Sequence, residues 1–196
     1  MGRRPAYQRS TVVAAVAELF WEQGYELTSI GDLEARTGLD RSSLYHAFGA
    51  KHALFEAALR CYLETFQHGL GALRQDDAGL AVIVSFFAGM ARAFRADPAR
   101  NARGCLMENT VAELGAQDAI VARLGAAYRD SLREAFAAAL SHAAARGEVD
   151  TGRIHPRANL LAAQMMGLFL TARIDPADAA EVCESVAAEI SSWRLG

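Results

Sequence analysis

The sequence predicts an all-α fold, and three observations carry that reading. Alanine fills about 40 of the 196 positions, and it is the strongest helix former and a poor strand former. Only 4 residues are proline, so long helical runs go unbroken. Apolar residues recur at three- and four-residue steps along most of the chain, the period of a helix with one buried face. With 52% hydrophobic and 22% charged residues, the chain can bury a sizeable core.

The elements follow in order. Val12, Val13, Val16, Leu19 and Phe20 place a helix over 10–23, stopped by Gly24. Thr28 or Ser29 caps a second helix reaching Thr37, with Ile30 and Leu33 inward, and Gly38 closes it. Asp40 caps a third over 41–48, and Gly49-Ala50 breaks the chain again. A fourth runs over 51–73, with Leu54, Phe55, Ala58, Leu59, Tyr62, Leu63 and Phe66 on one stripe. Helices over 80–95, 105–114 and 118–146 come next, with 98–104 as a polar loop. Pro156 suits a first helical turn, so the last two helices span 156–173 and 176–193. The expectation is about nine helices, divided at residue 50. The two parts are residues 1–50 and residues 51–196.

Charge and cysteines bound the function. A net charge of −3 argues against a globally basic nucleic-acid protein but leaves room for a basic patch. Cys61, Cys105 and Cys183 are odd in number and widely spaced, which is no disulfide framework and suits a reducing, cytoplasmic compartment. No apolar run approaches roughly 18 residues, so no membrane partner is expected. The opening Met-Gly-Arg-Arg-Pro lacks the apolar stretch of a signal peptide. The sequence carries no Gly-rich phosphate loop, HExxH or GxSxG. Its five histidines, His46, His52, His68, His142 and His155, do not fall with carboxylates at ligand spacing. An enzyme is therefore the weaker reading, and no cofactor or metal is expected.

A short helix, the turn Thr37-Gly38-Leu39-Asp40 and an eight-residue helix have helix-turn-helix spacing. In such a unit the second helix enters the major groove with its amino-terminal residues at base edges. Arg41, Ser42 and Ser43 occupy that end; arginine can bond guanine in two places, and serine can donate or accept. Tyr45, His46 and Lys51 follow on the rim, within reach of phosphate, and Lys51-His52 opens a helix whose dipole favours an anion. Bulk charge gives no help, since the segment to Lys51 holds six basic and six acidic residues. Distribution does, because Arg3, Arg4 and Arg9 form an arm ahead of the first helix.

The stretch Ala17-Glu-Leu-Phe…Gly24-Tyr25…Leu27-Thr28-Ser29-Ile30…Asp32-Leu33…Thr37-Gly38-Leu39…Ser43-Leu44-Tyr45-His46…Phe48…Lys51…Leu54 resembles the DNA-binding domain of the TetR family of one-component transcriptional regulators. The resemblance implies an all-helical homodimer of roughly nine helices per subunit, with residues 1–50 as a helix-turn-helix DNA-binding domain and residues 51–196 as a ligand-sensing and dimerisation domain. It also implies double-stranded operator DNA as partner and a small-molecule inducer in the carboxy-terminal domain. Position by position, it places Thr28, Tyr45, His46 and Lys51 at phosphates and Arg41, Ser42 and Ser43 at bases, with Ser29 also among the DNA-binding residues. Glu34 departs from the pattern, where a small residue is common; its carboxylate is expected to face solvent.

The remaining chain reads as sensor and dimer module. Ala158, Ala162, Ala163, Gly167, Ala179, Ala180, Ala187 and Ala188 allow close helix approach in the last two helices, which the resemblance pairs with their mates as a four-helix bundle. The ligand site is expected between helices 80–95, 105–114, 118–146 and 156–173. Its apolar lining is Phe86, Phe87, Met90, Phe94, Leu106, Met107, Tyr128, Met165 and Phe169, with Asn109, Gln164 and Tyr128 as polar handles. Gly104-Cys105-Leu106…Asn109…Glu113-Leu114 resembles a motif of one branch of the family. Some members of that branch sense electrophiles or oxidants at this cysteine. A helix amino end and Arg103 beside Cys105 favour a thiolate, so the expected inducer is small and either apolar or electrophilic.

Overall fold

Caps and glycines written into the sequence fix where this chain turns. The computed structural model describes residues 8–195; Arg3 and Arg4 of the expected basic arm lie outside them. Among the described residues there are ten α-helices and no strand. They are α1 (Arg9–Gln23), α2 (Ile30–Thr37), α3 (Arg41–Phe48), α4 (Lys51–Gly69), α5 (Leu80–Ala96), α6 (Pro98–Asn101), α7 (Leu106–Leu114), α8 (Ala119–Ala145), α9 (Ile154–Ile174) and α10 (Pro176–Ser192). α6 is a single turn of 4 residues, so nine helices have eight residues or more.

Several boundaries shift by one or two residues, α9 for instance starting at Ile154, and three differences from expectation bear on packing and the site. α4 stops at Gly69, and Gly71–Arg74 continues as a 3-10 turn. Leu70 and Leu73 are buried, so the apolar period runs on, but two glycines around Leu70 weaken the α-helix there. Part of the expected 98–104 loop is α6, because Asp97 accepts the Arg100 backbone N–H at 3.0 Å and Pro98 fills the first turn. α7 begins at Leu106, so Cys105 precedes the helix instead of opening it.

Packing divides the chain into two compact units. One holds the described residues up to Phe66 with Leu106–Leu124; the other holds Gln67–Cys105 with Gly125 onward. Three short helices cannot bury much surface by themselves, and in the first unit α4 and α7 supply the rest. Its core is Val12, Val13, Val16, Leu19 and Phe20 of α1, Leu33, Leu44 and Phe48, and Leu54, Phe55, Ala58 and Leu59 of α4. The Phe20 and Phe55 rings meet edge to face at 4.8 Å, and Tyr25 lies 4.6 Å from Phe55.

In the second unit α5 packs along α10, and α10 against α9. Ala179, Ala180 and Ala187 bring these backbones close, with Cys183, Val186 and Ile190 completing the buried face. Leu132, Ala135, Phe136, Ala139 and Leu140 of α8 are fully buried. No described helix is long and apolar enough to cross a membrane.

Candidate nucleic-acid interface

The presentation of α3 is set by polar bonds on either side of it. Ser29 and Asp32 form a reciprocal box at the start of α2: the Asp32 N–H donates to Ser29 Oγ at 3.1 Å and the Ser29 N–H to Asp32 Oδ2 at 2.8 Å. Gly38 ends α2 at φ 69°, a left-handed turn that glycine adopts without steric cost. Asp40 then accepts the Ser43 N–H at 2.7 Å. Glu34 differs from expectation: its carboxylate does not simply face solvent but accepts the Arg41 backbone N–H at 2.6 Å. The acid at this position ties the end of α2 to the first residue of α3.

Leu44 and Phe48 anchor the inner face of α3. Arg41, Ser42 and His46 are exposed, and Ser43 and Tyr45 are half-buried. Residues 41, 42, 45 and 46 share one helical face. The Arg41 guanidinium stands 5.2 Å over the Tyr45 ring, close enough for a cation–π attraction. Arg9, the described member of the expected arm, donates to the Ala47 carbonyl and lies 4.3 Å over Phe48.

Thr28 and Lys51 serve the loop before α2. Thr28 is 1% exposed and its hydroxyl donates to the Gly24 carbonyl at 2.6 Å, so it closes the loop instead of reaching outward. The bond spans four residues, a local back-bond that threonine commonly makes. Lys51 Nζ donates to the Tyr25 carbonyl at 2.6 Å and stands 4.2 Å over the Tyr25 ring; a phosphate would meet an ammonium already held in place. Ser29 is exposed, and its hydroxyl also donates to Asp32 at 2.7 Å.

The same loop and the start of α4 are gripped by two acids that the sequence reading assigned no role here. Glu113 of α7 accepts the Tyr25 N–H at 3.0 Å and the Glu26 N–H at 2.8 Å. Asp118 bonds the His52 ring at the start of α4 and caps α8 through the Ile120 N–H at 2.8 Å. These partners are 66 to 88 residues apart, and only the motif spelling of Glu113 marked it in advance. Hydrogen bonds to the charged form hold three carboxyls below the usual range: Asp118 by the His52 ring, Asp32 by Ser29 and Asp40 by the Ser43 N–H.

Most expected sensor residues fall in the second unit. Phe87 and Phe136 stack at 5.8 Å with Phe86 edge-on to both, and Phe94 meets Phe169 edge to face at 6.2 Å. Phe87, Phe94, Cys105, Tyr128 and Met165 are buried, whereas Phe86, Met90, Gln164 and Phe169 are half-buried. The Cys105 thiol is 1% exposed and donates to the Tyr128 hydroxyl at 3.6 Å. Leu106, Met107 and Asn109 belong with the first unit. A groove of about 390 Å³ between α8 and α9 is lined by Arg129, Arg133, Asn159, Ala162, Ala163 and Met166, none of them among the expected lining. Burial pushes the Cys183 thiol up to about 12. No group of three His, Cys, Asp or Glu among the described residues is arranged to hold a metal ion.

Residues 12–58 match the family of bacterial regulatory proteins called tetR. The uncharacterised HTH-type transcriptional regulator YezE of Bacillus subtilis is 32% identical over 151 residues, covering 76% of this chain and 77% of that protein. The HTH-type transcriptional repressor ComR of Escherichia coli is 27% identical over 150 residues, covering 76% and 70%. Among solved structures, a TetR transcriptional regulator from Chloroflexus aurantiacus superposes with a TM-score of 0.81 at 28% identity, covering 96% of each chain.

Proposed function

This chain belongs to the TetR family of bacterial regulatory proteins, and from that premise we propose a repressor that reads operator DNA with α3 and lets go when its second unit is engaged by an inducer. It is a DNA-binding transcriptional regulator and not an enzyme. One observation carries the reading of the site: α3 is pinned at its amino end by Glu34 and Asp40, which leaves Arg41, Ser42, Tyr45 and His46 on one outward face. In this reading Arg41, Ser42 and Ser43 meet base edges. Ser29, Tyr45, His46 and Lys51 hold phosphates, and Thr28 supports the loop from inside. Repression needs only that a promoter be covered, without a further contact surface, and it is the activity named for the relative ComR.

A dimer presents two such helices about 34 Å apart, one turn of B-DNA. Support for it comes from α9, which is apolar on two sides. Ala158, Leu161, Ala162, Met165, Leu168 and Ala172 are buried. On another side Leu160, Ala163, Gly167, Leu170 and Ile174 recur at three- and four-residue steps and are exposed, Leu160 by 50%, Leu170 by 63% and Ile174 by 83%. Such a stripe suits a mate helix, and with α10 it forms the proposed four-helix dimer seam. Work on an operator places the protein in the cytoplasm.

The inducer is a small apolar or electrophilic molecule acting on the second unit. An adduct on Cys105 would have no room beside the Tyr128 hydroxyl, and Cys105 is joined directly to the first residue of α7. The test is selection of duplexes from a random pool by the reduced protein, followed by release with candidate compounds and oxidants. Retention should fall steeply with salt, as phosphate contacts require. Failure to retain any duplex in dilute buffer overturns the DNA reading. Equal release of a Cys105→Ser variant by oxidants removes the thiol from the mechanism.

A further inference from the structure

Glu113 lies in the last turn of α7, outside the helix-turn-helix, yet its carboxylate takes two successive backbone N–H groups of the loop between α1 and α2. Gly24, at φ +81°, lets that carboxylate come near: a Cβ there would stand 3.0 Å from one of its oxygens and 3.3 Å from the other. The Tyr25 residue is thus held from two directions, by Glu113 on its N–H and by Lys51 Nζ on its carbonyl. From this loop a run of bonds leads to the reading helix. The Thr28 hydroxyl holds the Gly24 carbonyl, Ser29 caps α2, and Glu34 of α2 takes the Arg41 N–H. Nearby, the Asp118–His52 bond fixes the turn after α7 to the first turn of α4.

We propose that Glu113 is a positioning residue for DNA reading: its carboxylate sets the 24–28 loop and, through α2, the attitude of Arg41. α7 follows Cys105 in the chain, so a change at that cysteine has a direct handle on the loop, beside any motion carried by α4. Glu26 is exposed, so water can take over its N–H when the carboxylate is removed. Stability then changes little while the placement of α2 and α3 is lost.

This inference rests on the proposed DNA-binding function, and the experiment separates the two. The full chain, Glu113→Gln and Glu113→Ala are titrated against a duplex selected by the wild type, over a range of salt. Melting and amide exchange are recorded alongside. Removing a negative charge should by itself tighten binding to DNA. Positioning predicts the opposite: Glu113→Ala weakens binding by about tenfold, within the usual range for coupling between sites, and Glu113→Gln, with a single acceptor, falls between. The dependence on salt keeps its slope, because no phosphate contact is lost, and exchange speeds up at Tyr25 and Glu26. A Gln variant that binds as well as the wild type, or tighter, overturns the positioning role. So does a loss of affinity that only tracks a lower melting temperature. If the wild type itself retains no duplex, the DNA reading fails and the inference with it.

Discussion

From Ser29 to Lys51 the chain is stitched by side chains bonded to backbone: Ser29 to Asp32, Glu34 to Arg41, Asp40 to Ser43, Lys51 to Tyr25. The second unit is held mainly by rings on rings and by buried methyl groups, with Phe87, Phe136, Leu132 and Ala139 fully enclosed. The contrast follows the task. Apolar contact is strong but indifferent to direction, which suits a unit that must enclose something or shift. Hydrogen bonds contribute less each but fix angles, which suits a helix that must meet base edges in one orientation.

Substitutions in the two units should separate strength from aim. The largest effect belongs to Phe87→Ala, which empties a stacked, fully buried ring site and should cost about 3–5 kcal/mol of stability in urea unfolding. A cost under roughly 1 kcal/mol would mean that the aromatic cluster is loosely packed and the contrast overstated. Arg41→Ala comes next: exposed and bonded through its backbone, it should leave stability unchanged while losing about 1–3 kcal/mol of operator affinity and relaxing base choice. Normal operator binding by that variant would end the base-reading role of Arg41. Ser29→Ala is smallest, about 1 kcal/mol of stability from the lost cap, read by thermal melting.

Acid sharpens the same contrast. Asp32, Asp40 and Asp118 all titrate lower in the fold than their ordinary 3.8. A depressed carboxyl stabilises the fold fully above that value, and the contribution is lost as pH falls through the lower folded values. The second unit has two such groups, Glu148 held down by Arg146 and Glu184 by Arg95, but its core is otherwise apolar. The first unit should therefore loosen first on acidification below about pH 4. With Trp193 replaced by phenylalanine, Trp21 fluorescence reports that unit alone; loss of both units at one pH would erase the distinction.

How much could be read from the sequence divides along the same line. α3 begins and ends where Asp40 and Gly49 place it, because caps act within three or four residues. The five apolar residues assigned to the inner face of the first helix are all buried, since a helical period is itself a local signal. What escaped depends on partners distant in the chain. Glu113 reaches across 88 residues to Tyr25, and no spacing rule links them; the Thr28 hydroxyl, by contrast, bonds Gly24 only four residues back, a local pattern that threonine commonly makes. Glu34 was legible as a departure, but its partner was not, since the Arg41 amide comes within reach only once Gly38 has turned the chain.

The bond from Glu34 to Arg41 has a consequence for how a duplex can be approached. The opening amides of α3 at Arg41 and Ser43 are already engaged by acids, so that tip offers poor lodging to a phosphate and even repels one. α4 is less guarded: it starts with Lys51 and His52, and of these only the His52 ring is engaged by an acid, Asp118. In the proposed reading, grip and discrimination fall to different ends of neighbouring coils, and the acids at the tip of α3 disfavour its settling on sugar-phosphate for charge alone.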